Sequence, residues 1–429
     1  MKSKIKLVAA VLAISTLSLG CGGGSKNSVN QEVTLRYWRP FGDSQEMLTL
    51  INEYEDKHPN VRIEYTKKNI DTYEDDLLDA LASGNGPDVF AINNSWTPKY
   101  LDKIVPAPTQ LITYRNYKDT FVDVVVKDFT KNEEIYGVAL SVDSLGLFYN
   151  KDLMGTAGIA TPPKTWTELQ NDVQVITTQD RTGYFTRSGV AMGLNINVNR
   201  AVDILYLLML QRGVIPWSSD GLLPTFGQSV SVNGSFSEPG NDALKFYTDF
   251  ANPASSYYNW NASSDYSIDA FANGRAAYLY SYSYTRDTLK QKAPNLNYDV
   301  AAVPQPNLDQ PAVNFANYFG EVVNKQTKNK EWAWDFLNFI SSKDSLDKYY
   351  AQYKYPSSRK DLIELQITDP EIGVFAHANL TAKSFYKPDQ ERFDAIIGTM
   401  IDNVILRGTD IFDAINQAES QAATLTQVR

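Results

Sequence analysis

Apolar and polar residues alternate through Val33-Thr34-Leu35-Arg36-Tyr37-Trp38, the period-2 pattern of a half-buried strand. The spacing then changes. Met47, Leu48, Ile51 and Tyr54 recur at helical intervals, and the run ends at His58-Pro59-Asn60, a helix stop. Val61 to Tyr65 alternates again. Tyr73 to Leu81 returns to the helical period and ends at Gly84, and Pro87 to Ile92 reads as a third strand. A strand-helix-strand-helix-strand order needs crossover connections, so it predicts a mainly parallel sheet.

Later segments repeat these signals. Ser141 to Asn150 reads as a strand with a polar entry, and Phe271 to Tyr280 as a helix end, a glycine turn and a strand. Thr165 stands three residues before Glu168, the spacing of a capping box. Asn199 to Gln211 is strongly apolar and predicts a buried helix closed by Gly213. Asp242 to Phe250 and Glu331 to Ser341 predict amphipathic helices. The sequence has no 20–50-residue repeat.

A chain of 429 residues is too long for one ordinary core, which favours two lobes. A formal net charge of -10 leaves no surplus of Lys and Arg to neutralise phosphates, which argues against a nucleic-acid partner. It is silent on neutral ligands. Tyrosine is unusually common, at 26 residues, and offers a flat apolar face with a hydrogen-bonding tip.

The N-terminus has the form of a targeting segment. Lys2, Lys4 and Lys6 are basic, and the apolar run Leu7 to Leu19 is too short to span a bilayer. Leu17-Ser18-Leu19-Gly20-Cys21 resembles a bacterial lipoprotein signal, which implies cleavage before Cys21 and a lipid on its thiol. Cys21 is the only cysteine, so no disulfide within one molecule can claim it. Residues 1–20 are read as signal peptide and 21–31 as a polar Gly/Ser/Asn tether. The expected location is the periplasm or cell surface.

Catalytic chemistry is scarce. The two histidines, His58 and His377, read as ordinary surface or loop residues, and no zinc-type spacing accompanies them. No nucleophile elbow, P-loop or dinucleotide fingerprint is present, so no metal and no cofactor is expected. The serious enzymatic alternative is a glycosidase with two carboxylates, for which Asp43 and Asp143 near strand ends are the nominees.

Several short segments occur in a consistent order. They are Tyr37-Trp38-Arg39-Pro40-Phe41-Gly42, Ala82-Ser83-Gly84-Asn85-Gly86-Pro87-Asp88-Val89-Phe90 and Tyr136-Gly137-Val138-Ala139-Leu140. Leu147-Phe148-Tyr149-Asn150-Lys151-Asp152-Leu153, Pro162-Pro163-Lys164-Thr165-Trp166 and Phe271-Ala272-Asn273-Gly274-Arg275-Ala276-Ala277 follow. Val303-Pro304-Gln305-Pro306 and Tyr355-Pro356-Ser357-Ser358-Arg359 complete the set. In these landmarks the chain resembles the family 1 extracellular solute-binding proteins, the maltose-binding-like group.

The resemblance implies an α/β, two-lobe periplasmic-binding-protein-like fold with a multi-crossing hinge. It also implies a carbohydrate-like ligand held between the lobes, a permease pair with an ATPase as partner, and no catalysis. A monomer is expected. Lobe 1 is read as residues 32–142 plus 303–354 and lobe 2 as 143–302 plus 355–429. The hinge is expected near Leu140 to Ser144, Ala301 to Pro304 and Tyr353 to Ser357. Asp88 and Trp166 are read as structural.

A neutral sugar presents hydroxyl rims and apolar C–H faces, so amides, carboxylates and aromatic rings at strand ends are the candidates. Trp38 and Phe41 frame the first strand exit with Asp43 behind them, and which of Phe41, Asp43 or Ser44 faces ligand stays open. Asn93, Asn94 and Trp96 follow the third strand. Asp143 stands where the family often has an acidic contact, with a hinge role as the alternative. Trp260, in Tyr257-Tyr258-Asn259-Trp260-Asn261, is expected to stack on the ligand. Tyr282 and Tyr284 sit where the family often places an aromatic platform, and strand alternation sets that pair against Ser281 and Ser283. Tyr318, Tyr355 and Arg359 complete the set, Arg359 with a hinge ion pair as its alternative.

Overall fold

The computed structural model describes residues 32–218, 221–232 and 235–426. The signal segment, the tether and Cys21 lie outside the described residues. The alternating N-terminal segment forms β1 (Val33–Arg39), with Leu35 and Tyr37 buried and Thr34 and Arg36 exposed. The helix Ser44–Lys57 follows and buries Met47, Leu50, Ile51 and Tyr54. Next come β2 (Val61–Lys67), the helix Tyr73–Ala82 and β3 (Val89–Asn93). Gly84, at φ +74°, ends that helix in the left-handed conformation that costs glycine nothing. Asp88 holds the strand entry by accepting the Arg36 N–H at 2.8 Å.

The remaining main-sheet strands are β4 (Gly137–Val138), β5 (Gly146–Asn150), β6 (Thr178–Gln179), β7 (Phe185–Val190), β8 (Ala276–Ser281), β9 (Tyr298–Ala301) and β10 (Phe319–Val323). They form two five-stranded sheets, ordered β2-β1-β3-β10-β4 and β9-β5-β8-β7-β6. β1 pairs in parallel with β2 and β3, as crossovers require, and β8 pairs in parallel with β7. β10 is antiparallel to β3 and β4, and β5 is antiparallel to β8 and β9. Both sheets are therefore mixed. β10 returns to its sheet from the other lobe, without the local crossover that would make it parallel.

Each sheet is packed in its own hydrophobic core. The chain changes core between Val142 and Leu145, between Phe315 and Ala316, and over residues 363–385, where Phe375 packs in the second core while Ala376 and Ala382 still pack in the first. The last two changes come later than the sequence suggested, because Val303 still packs in the second core and Leu362 and Ile363 in the first. The two-residue strands Asn314–Phe315 and Ala382–Lys383, paired in parallel, carry these crossings. Strands that short show no period to read. Asn379 ties crossings together, donating to the Val142 carbonyl at 2.8 Å and the Ser357 carbonyl at 3.0 Å, and accepting from Ser144 Oγ at 2.6 Å.

The helix Trp166–Ile176 has its full capping box, and the helix Ala201–Gln211 buries every residue from Asp203 to Met209. Among the described residues no helix is long and apolar enough to cross a membrane.

Candidate functional site

A cavity of about 1080 Å³ opens between the lobes, at the upper end of the ~300–1,000 Å³ usual for small-molecule sites. One wall comes from the first lobe. Phe41, 45% exposed, meets Phe319 edge-on with ring centres 4.9 Å apart. Trp96 stacks on Tyr100 at 5.9 Å and turns its edge to Phe319. Asn93, the last residue of β3, accepts the Ser95 N–H at 3.0 Å and donates to Asn317 Oδ1 at 2.8 Å. Tyr355 lies against Tyr349 with ring centres 5.5 Å apart. Strand ends supply much of this wall, where open α/β sheets place ligands.

The opposite wall is built after β8. Tyr282 and Tyr284 stack at 6.1 Å, and the Arg200 guanidinium lies over both rings, 5.3 and 5.6 Å from their centres. Arg200 also donates to the Tyr284 hydroxyl at 2.9 and 2.6 Å. It adopts φ +59° at the start of the helix Ala201–Gln211, a conformation unfavourable for a side chain of this size. Tyr282 donates to Asp203 at 3.0 Å. Because β8 ends at Ser281, residues 282–284 no longer follow strand alternation, and both tyrosines and Ser283 line the cavity.

Two carboxyl groups near the crossings have perturbed acidity. Burial pushes Asp143 up to about 6, against the Ser283 N–H and hydroxyl, which donate at 3.0 and 2.7 Å, and against Arg286 and Arg200. Burial likewise pushes Asp128 up to about 6, against hydrogen bonds from Ser384, Asn94 and Tyr318. One bond spans the cleft directly, from Trp96 Nε1 to Gln390 Oε1 at 3.0 Å.

Residues 42–346 match the family model for bacterial extracellular solute-binding proteins. The chain belongs to that family. It is similar to the maltodextrin-binding protein MdxE of Bacillus subtilis, 24% identical over 371 residues that cover 80% of this chain and 78% of the relative. It is also 22% identical over 353 residues to the multiple sugar-binding protein of Streptococcus mutans, covering 81% of this chain and 80% of the relative. Among solved structures it superposes on the sugar-binding protein MalE of Xanthomonas citri with a TM-score of 0.75. That match has 21% identity and covers 92% of this chain and 97% of that one. The fold is thus the two-lobe fold of periplasmic binding proteins, and family membership implies a place in the periplasm or at the cell surface.

Of the residues singled out from the sequence of this solute-binding protein, eight line the cavity. They are Phe41, Asn93, Trp96, Asp143, Tyr282, Tyr284, Tyr318 and Tyr355. The other five are placed elsewhere. Trp260 is 1% exposed in the second core, and its Nε1 donates to Asn197 Oδ1 at 2.9 Å. Its polar neighbours hold the fold instead: Asn259 accepts the Val190 N–H at 2.7 Å, which ties the segment to β7, and Asn261 accepts the Ser263 N–H at 2.9 Å in the local turn. Trp38 points to the other face of β1, with the Lys68 ammonium 4.0 Å above its ring. Asp43 caps the helix Ser44–Lys57 by accepting the Glu46 N–H at 2.9 Å. Asn94 donates to Asp128 at 2.8 Å, below the lining. Arg359 pairs with Asp361 at 3.0 and 2.9 Å and donates to the Ser341 carbonyl at 3.1 Å, the structural alternative. With Asp43 occupied as a cap outside the lining, the two carboxylates nominated for glycoside hydrolysis do not meet across the cavity.

Sequence reasoning missed Arg39, Glu46, Arg200, Phe319, Tyr349 and Gln390, all in the lining. One signal was present for Arg39. It shares the inward alternation of Leu35 and Tyr37, and an arginine in an inward register is unusual.

Proposed function

We propose that this solute-binding protein captures a neutral carbohydrate in its interlobe cleft and delivers it to the permease of an ABC importer, anchored at the outer membrane face by lipid on Cys21. The observation that carries the reading is the pairing of aromatic rings with hydrogen-bonding groups on both walls of the cavity, Phe41, Phe319 and Tyr355 against Tyr282 and Tyr284. Rings cover the apolar C–H faces of a pyranose, and the amide and carboxylate groups beside them exchange hydrogen bonds with its hydroxyl rim. The maltodextrin-binding relative from Bacillus subtilis and the multiple sugar-binding relative from Streptococcus mutans support the same class. The lining residues are assigned the ligand contacts, and catalysis is not assigned.

A thermal-shift screen over D-tagatose, mannotriose and maltotetraose, sugars of the kind held by structural neighbours, tests the reading. A sugar at ~100 times its Kd adds about 2.7 kcal/mol to the native state, so the melting midpoint rises measurably. No rise with any of the three at millimolar concentration sinks the carbohydrate reading. Release of reducing ends over hours would instead favour hydrolysis. For the anchor, wild-type protein should sediment with membranes and Cys21→Ser should not; equal solubility removes the lipid claim.

A further inference from the structure

Arg39, the last residue of β1, is 6% exposed and still lines the cavity. Its Nε lies 3.0 Å from Glu321 Oε1, and Glu321 is fully buried in β10. The contact is a buried ion pair, with the buried Tyr37 hydroxyl as a further polar neighbour of Glu321. A buried pair of this kind is poor value as a stabilising device, because desolvating two charges offsets most of their attraction. Its position suggests another use. Arg39 Nη1 and Glu46 Oε1 both border Gly42, where an added Cβ would stand 3.3 and 3.2 Å from them. Gly42 has φ +74° and no side chain, which lets the loop close over both groups. Tyr349 donates its hydroxyl to Glu46 and stacks on Tyr355, and both rings line the cavity.

We propose that Arg39 and Glu46 form a polar subsite that grips a vicinal diol of the ligand, with Glu321 and Tyr349 as positioning residues behind them. This rests on the carbohydrate reading. The guanidinium fork donates to hydroxyl oxygens and the Glu46 carboxylate accepts from hydroxyl protons, a complementary pair for adjacent hydroxyls.

The decisive variant is Arg39→Met/Glu321→Leu, measured beside wild type by melting of the free protein and by calorimetric titration with D-tagatose, mannotriose and maltotetraose. Replacing a buried pair by apolar residues of similar volume is often neutral for stability. The expected result is a melting midpoint near wild type with affinity for the bound sugar lowered by about ten-fold or more, the loss of charge-assisted hydrogen bonds. Wild-type affinity in the double variant overturns the proposal. If that variant melts far below wild type, Arg39→Lys decides, since it keeps the charge facing Glu321 and removes the fork. A ten-fold loss in Arg39→Lys supports the subsite and unchanged affinity overturns it. Wild-type protein that binds none of the three sugars overturns the carbohydrate reading, and this subsite with it.

Discussion

The indole of Trp260 and the ring of Phe41 make opposite predictions, because one is 1% exposed in a core and the other 45% exposed in the cleft. Trp260→Ala opens a cavity in the second core and leaves Asn197 without its indole donor, so it should cost about 3–5 kcal/mol of unfolding free energy. The folded fraction should bind sugar as wild type does. Phe41→Ala should leave the free protein's melting nearly unchanged and weaken sugar binding roughly 30-fold, the ~2 kcal/mol of a hot-spot ring. A chemical unfolding curve and a titration for each variant check the pair. Unaltered stability in Trp260→Ala, or unaltered affinity in Phe41→Ala, would reverse that residue's assignment. Local composition could not place Trp260. The Asn residues flanking Trp260 look like a polar binding loop, but Asn259 ties the segment to β7 and Asn261 closes a local turn. The alternation of β1, by contrast, already turned Trp38 away and Arg39 inward.

At the level of elements the sequence was a good guide wherever a period or a cap had room to repeat. Six residues of alternation, Val33 to Trp38, gave β1 short of its last residue, and Thr165 with Glu168 gave the start of the helix Trp166–Ile176 to the residue. Ser141 to Asn150 was read too long, and the strand begins only at Gly146, since the polar entry belongs to the crossing. Contacts that depend on two distant elements meeting left no local trace. The bond from Trp96, after β3, to Gln390, in the first turn of the helix Gln390–Leu406, joins residues 294 positions apart. It links opposite lobes, so it stabilises the closed cleft and does little for either lobe alone. Removing such a bond costs about 1 kcal/mol, roughly five-fold in affinity. Gln390→Ala should therefore weaken sugar binding about five-fold while calorimetric melting of the free protein stays put. An equal affinity would mean that the two residues part when ligand is bound.

For the whole molecule, the arrangement of two cores, three core changes and one cleft fixes how binding is coupled to motion. Each core is continuous within its lobe, so rotation of the lobes as bodies about the crossings is the motion to expect on binding. Asn379 joins Val142 and Ser144, at the first crossing, to Ser357. A sugar that touches Phe41 on one wall and Tyr284 on the other gains its second set of contacts only when the cleft is shut. It therefore binds the shut form better and shifts the population towards it. Small-angle scattering of the chain from residue 32 onward should then give a smaller radius of gyration at saturating sugar than without it. Gln390→Ala should show the same contraction but need more sugar to reach it, because the shut form has lost one cross-cleft bond. A scattering profile that does not change at a sugar concentration shown by calorimetry to saturate the site would rule out lobe closure, and would leave a cleft that is already shut before ligand arrives.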